Sequence, residues 1–335
     1  MGSHRRLAPS PGLDRGTTVA VGLLSAAAAA LGALPATAVP HDDPTADVDR
    51  LYEEAERATE AYNEADSRAD TLRGRINTVQ DEIARQQERV NTLRESLGSL
   101  AGAQYRSGGL DASLILLLSD DPEDYLERAS VLDRLTVRQA GRLKELQKAG
   151  RSLDQNRARA SHKLEELERS RKAAAAHKKT VERKLAEARR LLDALPDAER
   201  AAYERAARSG RSGPLGTAAA SGRAADAVAA AGSALGSPYV WGANGPSGFD
   251  CSGLMQWSYA QAGVALPRTS QAQRHAGRQV PLSQARPGDL VLYRSDASHV
   301  GMYAGNGQVI HAPYPGAPVR YDPVGMMPVS SVTRV

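Results

Sequence analysis

The chain contains one cysteine, Cys251, which stands between Asp250 and Ser252. Helical spacing resumes at this cysteine after a segment dense in glycine and proline, so we expect Cys251 in the first turn of a helix. The unpaired N–H groups and the positive dipole end there favour an anion and lower the pKa of a thiol. The sequence therefore predicts a nucleophilic thiolate, with an inert buried cysteine as the alternative.

Two histidines could supply the general base. Residues 290–293 predict one strand, a second begins at His299, and a third carries His311. A two-residue Asn-Gly turn would place the histidines on opposite faces of the hairpin, whereas a three-residue loop at 305–307 would place them on one face. We predict the three-residue loop. His299 would take the thiol proton, and His311, which brings no fixed negative charge, would hold the ring of His299 in the useful tautomer.

A zinc site made of the same cysteine and histidines is the competing interpretation. The residue types are suitable, but the close paired spacing that is typical of zinc ligands is missing. We therefore predict no metal and no cofactor.

These residues belong to a compact C-terminal domain, which we place at 223–335. No glutamate follows Glu204 and no lysine follows Lys184, whereas both tryptophans and the only phenylalanine lie beyond them. Residues 209–222 are rich in glycine, serine and alanine, which is typical of a flexible linker.

The preceding residues, 41–208, have apolar residues at heptad spacing, with charge at the other positions, which predicts a long α-helical coiled coil. Gly108 and Gly109 interrupt the pattern, so we predict a helical insert near 101–131. The simplest arrangement is an antiparallel hairpin, and homodimerisation through the same seams is the alternative. The apolar residues 114–118 either belong to short capping helices or form a docking patch.

The first 38 residues predict a secretory signal peptide. Three arginines precede an apolar run of about 16 residues, shorter than the roughly 20 that span a bilayer. An uncleaved anchor is the alternative. Export makes the protein secreted and leaves its one cysteine without an internal disulfide partner. Removal of the leader takes three arginines and Asp14 from the 43 basic and 39 acidic residues, and the resulting net charge of about +2 argues against nucleic-acid binding, for which a concentrated basic patch is expected.

The stretch "LGSPYVWGANGPSGFDCSGL", together with "PGDLVLY" and "HVGMYAGNGQVIHAP", resembles the NlpC/P60 family of papain-like cysteine peptidases. The resemblance implies a papain-like domain with a small antiparallel sheet packed on helices, and hence an α+β chain. It also implies hydrolysis of peptidoglycan stem peptides between D-glutamate, linked through its γ-carboxyl, and a diamino acid. The positions that match nucleophile, base and third polar residue are Cys251, His299 and His311.

The resemblance also suggests substrate-binding residues. Tyr239 matches a tyrosine beside the nucleophile, and Asp250 and Ser252 match positions that help to hold polar groups of the substrate. Arg268 and His275 follow the cysteine-bearing helix, and we interpret them as structural or groove-lining residues.

The N-terminal part resembles the coiled-coil regions of secreted wall hydrolases used in cell separation. In such proteins the coiled coil can cover the active site until a membrane partner pulls it away. We therefore expect a cell-wall-associated endopeptidase, held in check by its coiled coil, with peptidoglycan as substrate and a membrane regulatory complex as partner. The alternatives are a non-catalytic scaffold or activator of other hydrolases, and an amidase or acyltransferase of related fold.

Overall fold

The computed structural model describes residues 44–106, 122–208 and 222–335. The predicted signal peptide at 1–38 and the apolar patch at 114–118 lie outside the described residues, as does the linker apart from Gly222. The domain boundaries given above stay predictions. No helix within the three described ranges combines the length and the apolar character that crossing a membrane requires.

Six α-helices lie within the described ranges. They are α1 (Pro44–Arg106), α2 (Pro122–Ala194), α3 (Asp197–Arg208), α4 (Arg223–Ser233), α5 (Cys251–Gln261) and α6 (Ser270–Gln273). A 3₁₀ turn spans Leu282–Gln284. The strands are β1 (Arg278–Val280), β2 (Leu290–Tyr293), β3 (His299–Gly305), β4 (Gln308–His311), β5 (Arg320–Pro323) and β6 (Val329–Arg334).

The helices α1 and α2 run antiparallel, as predicted. Near the middle of the pair, Arg157 of α2 donates to Gln87 at 2.8 Å, and nearer its far end Arg142 donates to Ser96 at 2.6 Å. Alternating apolar positions of both helices are buried along the seam, for example at Leu72, Ile76 and Leu167. The heptad pattern predicted this pairing because burying its apolar stripe is what stabilises such a long helix.

The C-terminal domain is a six-stranded antiparallel sheet in the order β1-β6-β2-β3-β4-β5, packed against α4 and α5. Its helix-side core is mainly apolar, with Leu254 and Met255 of α5 against Leu290, Val300 and Met302 of the sheet. The predicted α+β class, with a long antiparallel helix pair followed by a small sheet on helices, is confirmed.

The β3–β4 hairpin differs from the predicted three-residue loop. Its turn is the two-residue Asn306-Gly307, and both residues have positive φ, of 54° and 68°. A bulge between Tyr303 and Gly305 inserts one extra residue into β3. Because side chains alternate along a strand, this extra residue reverses the facing that the short turn alone would produce. The histidines on the two strands therefore share one face, as expected, but for a different reason.

The N-terminal part of α1 packs on the C-terminal domain through residues 52–63, which we call the docking segment. Tyr52 stacks on Tyr314 with ring centroids 5.0 Å apart, and Tyr62 meets the edge of Trp241 at 5.3 Å. The two tyrosines are ten positions apart in the sequence, so they lie almost three turns apart on the helix. The docking segment therefore lies lengthwise on the domain, with residues 56–60 between its two aromatic contacts.

Candidate active site

Cys251 is the first residue of α5, as predicted, and only 1% of its surface is exposed. Asp250 caps the helix by accepting a hydrogen bond from the backbone N–H of Gly253 at 2.7 Å. Gly253 has no alternative at this position, because a Cβ there would lie 2.2 Å from the carbonyl oxygen of Ala243. The tight cap therefore fixes the backbone at the start of α5 and, with it, the orientation of the Cys251 side chain.

Asp250 is wholly buried, and both oxygens of its carboxylate accept several hydrogen bonds. Its carboxylate forms a two-pronged ion pair with Arg268, at 2.6 Å and 2.9 Å, which is the geometry that best suits guanidinium and carboxylate. Besides capping Gly253, it accepts from the N–H of Gly242 and from the side chain of Asn63 of α1, each at 3.0 Å. Both oxygens are thus engaged, and Arg268 anchors this buried carboxylate, which fits the structural part of its predicted structural or groove-lining role.

The two predicted histidines are in contact and buried. Nε2 of His299 lies 2.8 Å from Nδ1 of His311, and the exposed fractions are 0% and 1%. Gly301 stands on β3 between the two histidine positions, and a Cβ on it would lie 3.3 Å from the Cβ of His311. The absence of a side chain there lets the rings meet edge to face, with centroids 5.1 Å apart.

The thiol and the imidazole lie close together, with Glu56 of α1 beside them. The Cys251 sulfur, a ring nitrogen of His299 and a carboxylate oxygen of Glu56 all lie within 4.8 Å of one another. Glu56 hydrogen-bonds Nδ1 of His299 and also pairs with Arg294. A carboxylate can only accept a hydrogen bond, so Nδ1 of His299 is the donor to Glu56. Glu56 therefore holds a proton on the nitrogen that would otherwise face the thiol.

Glu60, one turn further along α1, lies over the start of α5. Its Oε1 accepts from the Ser252 hydroxyl at 2.7 Å and lies 3.8 Å from the Cys251 sulfur. Its Oε2 accepts from the backbone N–H of Ser270 at 2.7 Å and lies 2.9 Å from the Ser270 hydroxyl, which also has the carbonyl oxygen of Ala297 as an acceptor at 2.7 Å. Burial and the nearby Asp250 carboxylate raise the pKa of Glu60 to about 7, and the hydrogen bonds that it accepts oppose this rise.

The two glutamates differ in charge state. Burial alone would raise the pKa of Glu56, but the facing His299 and Arg294 outweigh it, so the pKa lies below its ordinary value. Glu56 is therefore ionised at neutral pH. Glu60, whose pKa of about 7 is close to neutrality, is only partly ionised.

The predicted lowering of the thiol pKa is wrong for this conformation. Burial raises the pKa of Cys251 well above its ordinary value, and the negative charges of Glu56, Glu60 and Asp250 raise it further, whereas a backbone hydrogen bond from Val300 acts in the opposite direction. The helix start cannot overcome a low-dielectric site that holds three carboxylates. Two of these three carboxylates belong to α1, whose docking segment also contributes to the burial.

The predicted substrate-binding residues surround the thiol. Tyr239 is 7% exposed. Burial raises the pKa of Tyr239 well above its ordinary value, and the nearby Cys251 raises it further. Ser252 is buried and is bonded to Glu60 and to Arg268, the latter at 2.9 Å. Nothing in these contacts tests binding of a substrate, so the assignments of Tyr239, Asp250 and Ser252 stay predictions.

Sequence reasoning missed five residues of the site: Glu56, Glu60, Ser270, Arg294 and Asp322. The two glutamates lie on α1, where their spacing resembles that of any solvent-facing acidic stripe. Asp322 of β5 accepts a hydrogen bond from Nε2 of His311 at 2.8 Å and supplies the negative charge that the sequence did not locate.

Glu56, Cys251 and His299 are also residue types that together could bind a transition metal. The carboxylate and the imidazole are in direct hydrogen-bonding contact, however. Two ligands of one zinc ion, each about 2.0–2.2 Å from it in tetrahedral geometry, stand further apart than that. The arrangement is that of an ion pair over a thiol.

Comparison with known proteins agrees with this geometry. Residues 236–332 match the family model described as the NlpC/P60 family. A probable endopeptidase of Mycobacterium tuberculosis is 50% identical over 97 residues, which cover 29% of this chain and 25% of that protein. The peptidoglycan endopeptidase RipA of Mycolicibacterium smegmatis is 47% identical over 120 residues, which cover 31% of this chain and 24% of RipA.

The solved P60 domain of an antigen from M. avium subspecies paratuberculosis is 39% identical, with a TM-score of 0.32, and covers 33% of this chain and 93% of that one. The chain thus aligns with only about a quarter of the length of the two curated relatives, and the matched part is the C-terminal domain. Through that domain, which holds the cysteine and both histidines, the chain belongs to the NlpC/P60 family.

Proposed function

We propose that this protein is a secreted, cell-wall-associated cysteine peptidase that cleaves peptidoglycan stem peptides at the D-γ-glutamyl-diamino acid bond. We also propose that docking of α1 keeps it inactive. The observation that carries the proposal is the thiol at the start of α5 beside the bonded histidine pair, with α1 carboxylates on both sides of it. The name of RipA, a related peptidoglycan endopeptidase, supports the substrate class.

The chemistry follows from the arrangement. Once α1 has left, Nδ1 of His299 can take the proton of Cys251, and the thiolate attacks the amide carbonyl. Backbone N–H groups at the start of α5 stabilise the oxyanion, and His299 then protonates the leaving amine. Water hydrolyses the resulting thioester and restores the thiol.

Three features of the docked state oppose this chemistry. Glu56 holds a proton on Nδ1 of His299, which removes the base. The raised pKa of Cys251 keeps the thiol neutral. The docking segment also leaves only 1% of the cysteine and 0% of His299 exposed. We therefore assign the described conformation to an inactive, closed state, and we propose that a membrane complex acting on the helix pair opens it.

The contacts of Glu60 support the choice of bond. Its carboxylate accepts hydrogen bonds from the backbone N–H of Ser270 and from the hydroxyl of Ser252, beside the nucleophile. A glutamyl residue linked through its γ-carboxyl keeps its α-carboxylate free and close to the scissile bond. The same donors could hold that carboxylate after α1 has left, so Glu60 occupies the place of a substrate group.

Digestion of purified peptidoglycan tests the proposal. We compare the full chain, the Glu56→Gln/Glu60→Gln variant, and the same variant with Cys251→Ala, and map the fragments by mass spectrometry. We expect the glutamine variant to release fragments that begin with the diamino acid, faster than the wild type, and the cysteine variant to release none. Equal release with and without Cys251 contradicts a thiol mechanism.

A wall-binding assay with the same variants separates the peptidase from a scaffold. A scaffold would bind peptidoglycan and release no fragments even when its thiol reacts readily with iodoacetamide. A peptidase that α1 does not inhibit would release fragments at the same rate whether positions 56 and 60 carry the native glutamates or glutamines. The first result would remove the enzymatic proposal, and the second would remove control by α1 while leaving the enzyme.

A further inference from the structure

Asp322 ends a line of hydrogen bonds that runs from the thiol side of the site into the sheet. Nε2 of His299 lies 2.8 Å from Nδ1 of His311, and Nε2 of His311 lies 2.8 Å from a carboxylate oxygen of Asp322. The side chains are 0%, 1% and 18% exposed along this line. These hydrogen bonds are therefore largely shielded from water, which would otherwise compete for the ring nitrogens.

The direction of each hydrogen bond follows from the chemistry of its groups. Burial alone would raise the pKa of Asp322, but the hydrogen bonds from His311 and Arg320 hold it below its ordinary value, so the carboxylate is ionised and can only accept. His311 must then donate from Nε2. Burial lowers the pKa of His311 to about 4, against the opposing effect of Asp322, so the ring is neutral and carries that one proton.

A neutral His311 with its proton on Nε2 has a lone pair at Nδ1. His299 must therefore donate from its own Nε2, and in the neutral ring this leaves the lone pair at Nδ1. Nδ1 is the nitrogen left to face the thiol, because Nε2 is taken by His311. Two buried rings thus have their tautomers set in sequence from one carboxylate.

We propose that Asp322 is a positioning residue of the peptidase, which fixes the tautomer of His311 and through it presents the basic nitrogen of His299 to Cys251. This inference rests on the proposed thiol peptidase function. It adds to the predicted triad a fixed negative charge that does not touch the substrate. The same charge stabilises the positive His299 ring that forms when the thiol gives up its proton.

The plain alternative is that Asp322 serves only to pair with Arg320. Nε of Arg320 donates to the same carboxylate oxygen at 2.8 Å, while its Nη1 bonds the carbonyl of Ala207 in α3. If that were its whole role, removing either partner of the pair would have the same effect. Arg320→Ala is therefore the matched control, since it breaks the pair but leaves the acceptor of His311 in place.

The tautomer of His311 can be read without any activity, by ¹⁵N NMR of histidine-labelled full chain. We expect the wild type and Arg320→Ala to carry the His311 proton on Nε2, and Asp322→Ala to lose this preference. A proton on Nδ1 of His311 in the wild type, or unchanged tautomers in Asp322→Ala, would overturn the proposal. Because this readout needs no substrate, it stays informative even if the protein cleaves something other than peptidoglycan.

Kinetics on a wall-derived peptide, in the Glu56→Gln background, give the second readout. Losing an oriented general base costs about 10²-fold or more in rate, so we expect Asp322→Ala to lower kcat by about 10²-fold with little change in KM. Asp322→Asn keeps an oxygen acceptor without the charge and should fall between Asp322→Ala and the background enzyme. Equal kcat values for Asp322→Ala and Arg320→Ala would favour the purely structural role and refute ours.

Discussion

Glu56→Gln should open the active site while leaving the shape of the docking segment almost unchanged. The substitution removes the charge that pairs with His299 and Arg294 in a site where Glu56 is only 5% exposed. Hydrogen bonds to charged groups are worth about 1.5–3 kcal/mol each, and breaking a buried ion pair by removing one partner costs about 3–5 kcal/mol. Arg294 keeps a second partner, Glu53 at 3.4 Å, which offsets part of the loss.

A net destabilisation of the closed state by about 3 kcal/mol follows, at the lower end of that range. Since about 1.4 kcal/mol corresponds to a tenfold change in an equilibrium constant, the open fraction should rise roughly 100-fold. Reaction of Cys251 with iodoacetamide measures this fraction, provided that the protein opens and closes faster than the reagent reacts. The chain has no other cysteine, so the mass of the intact protein reports this one site.

Glu88→Gln is the matched control, because Glu88 lies on the same helix but is exposed. We expect it to react at the wild-type rate, and denatured protein to set the upper limit for both variants. If Glu56→Gln reacts within about threefold of the wild type, α1 does not hold the thiol closed through this ion pair. Equal acceleration by both glutamine variants would instead indicate a general weakening of α1.

Three further outcomes can be measured. Tyr62→Ala removes the edge contact with Trp241 without changing any charge, and should speed alkylation about tenfold. Docking raises the pKa of Glu60 from an ordinary 4.5 to about 7. The contribution of Glu60 to the stability of the closed state is therefore full below about pH 4.5 and is lost as the pH rises through 7. The alkylation rate of the wild type, relative to that of Glu60→Gln, should accordingly rise from pH 5 to pH 8. Gly253→Ala places a Cβ 2.2 Å from the carbonyl oxygen of Ala243 and should lower the thermal midpoint by more than about 5 °C.

The parts of the site that could be predicted from the sequence are those set by local structure. Cys251 follows an aspartate that caps a helix, and this pattern spans four residues. The strands that carry His299 and His311 are adjacent and joined by a short turn, so their pairing needed only a local hairpin. Even there the predicted three-residue loop was wrong. The bulge next to Gly305 cannot be recognised from the alternation of apolar and polar residues in the sequence.

The contacts between α1 and the thiol site could not be predicted, because they join residues far apart in the chain. Glu56 reaches His299 across 243 positions, and Glu60 reaches Ser252 across 192. On a charged helix these glutamates look like solvent-facing residues until the helix docks. The buried polar residues of the docking segment, which also include Thr59 and Asn63, have the composition of an exposed helix face. They are buried only because the C-terminal domain covers them.

The charges of the site link opening to substrate binding. Both ion pairs of Arg294 are made with α1, to Glu53 and Glu56, so the departure of α1 leaves a cation without these partners close to the nucleophile. Departure of Glu60 likewise frees the donors of Ser252 and Ser270. A substrate that carries carboxylates can satisfy these groups, and α1 and such a substrate cannot occupy them together. Under the proposed function, binding of such a substrate should therefore shift the equilibrium toward the open state by mass action.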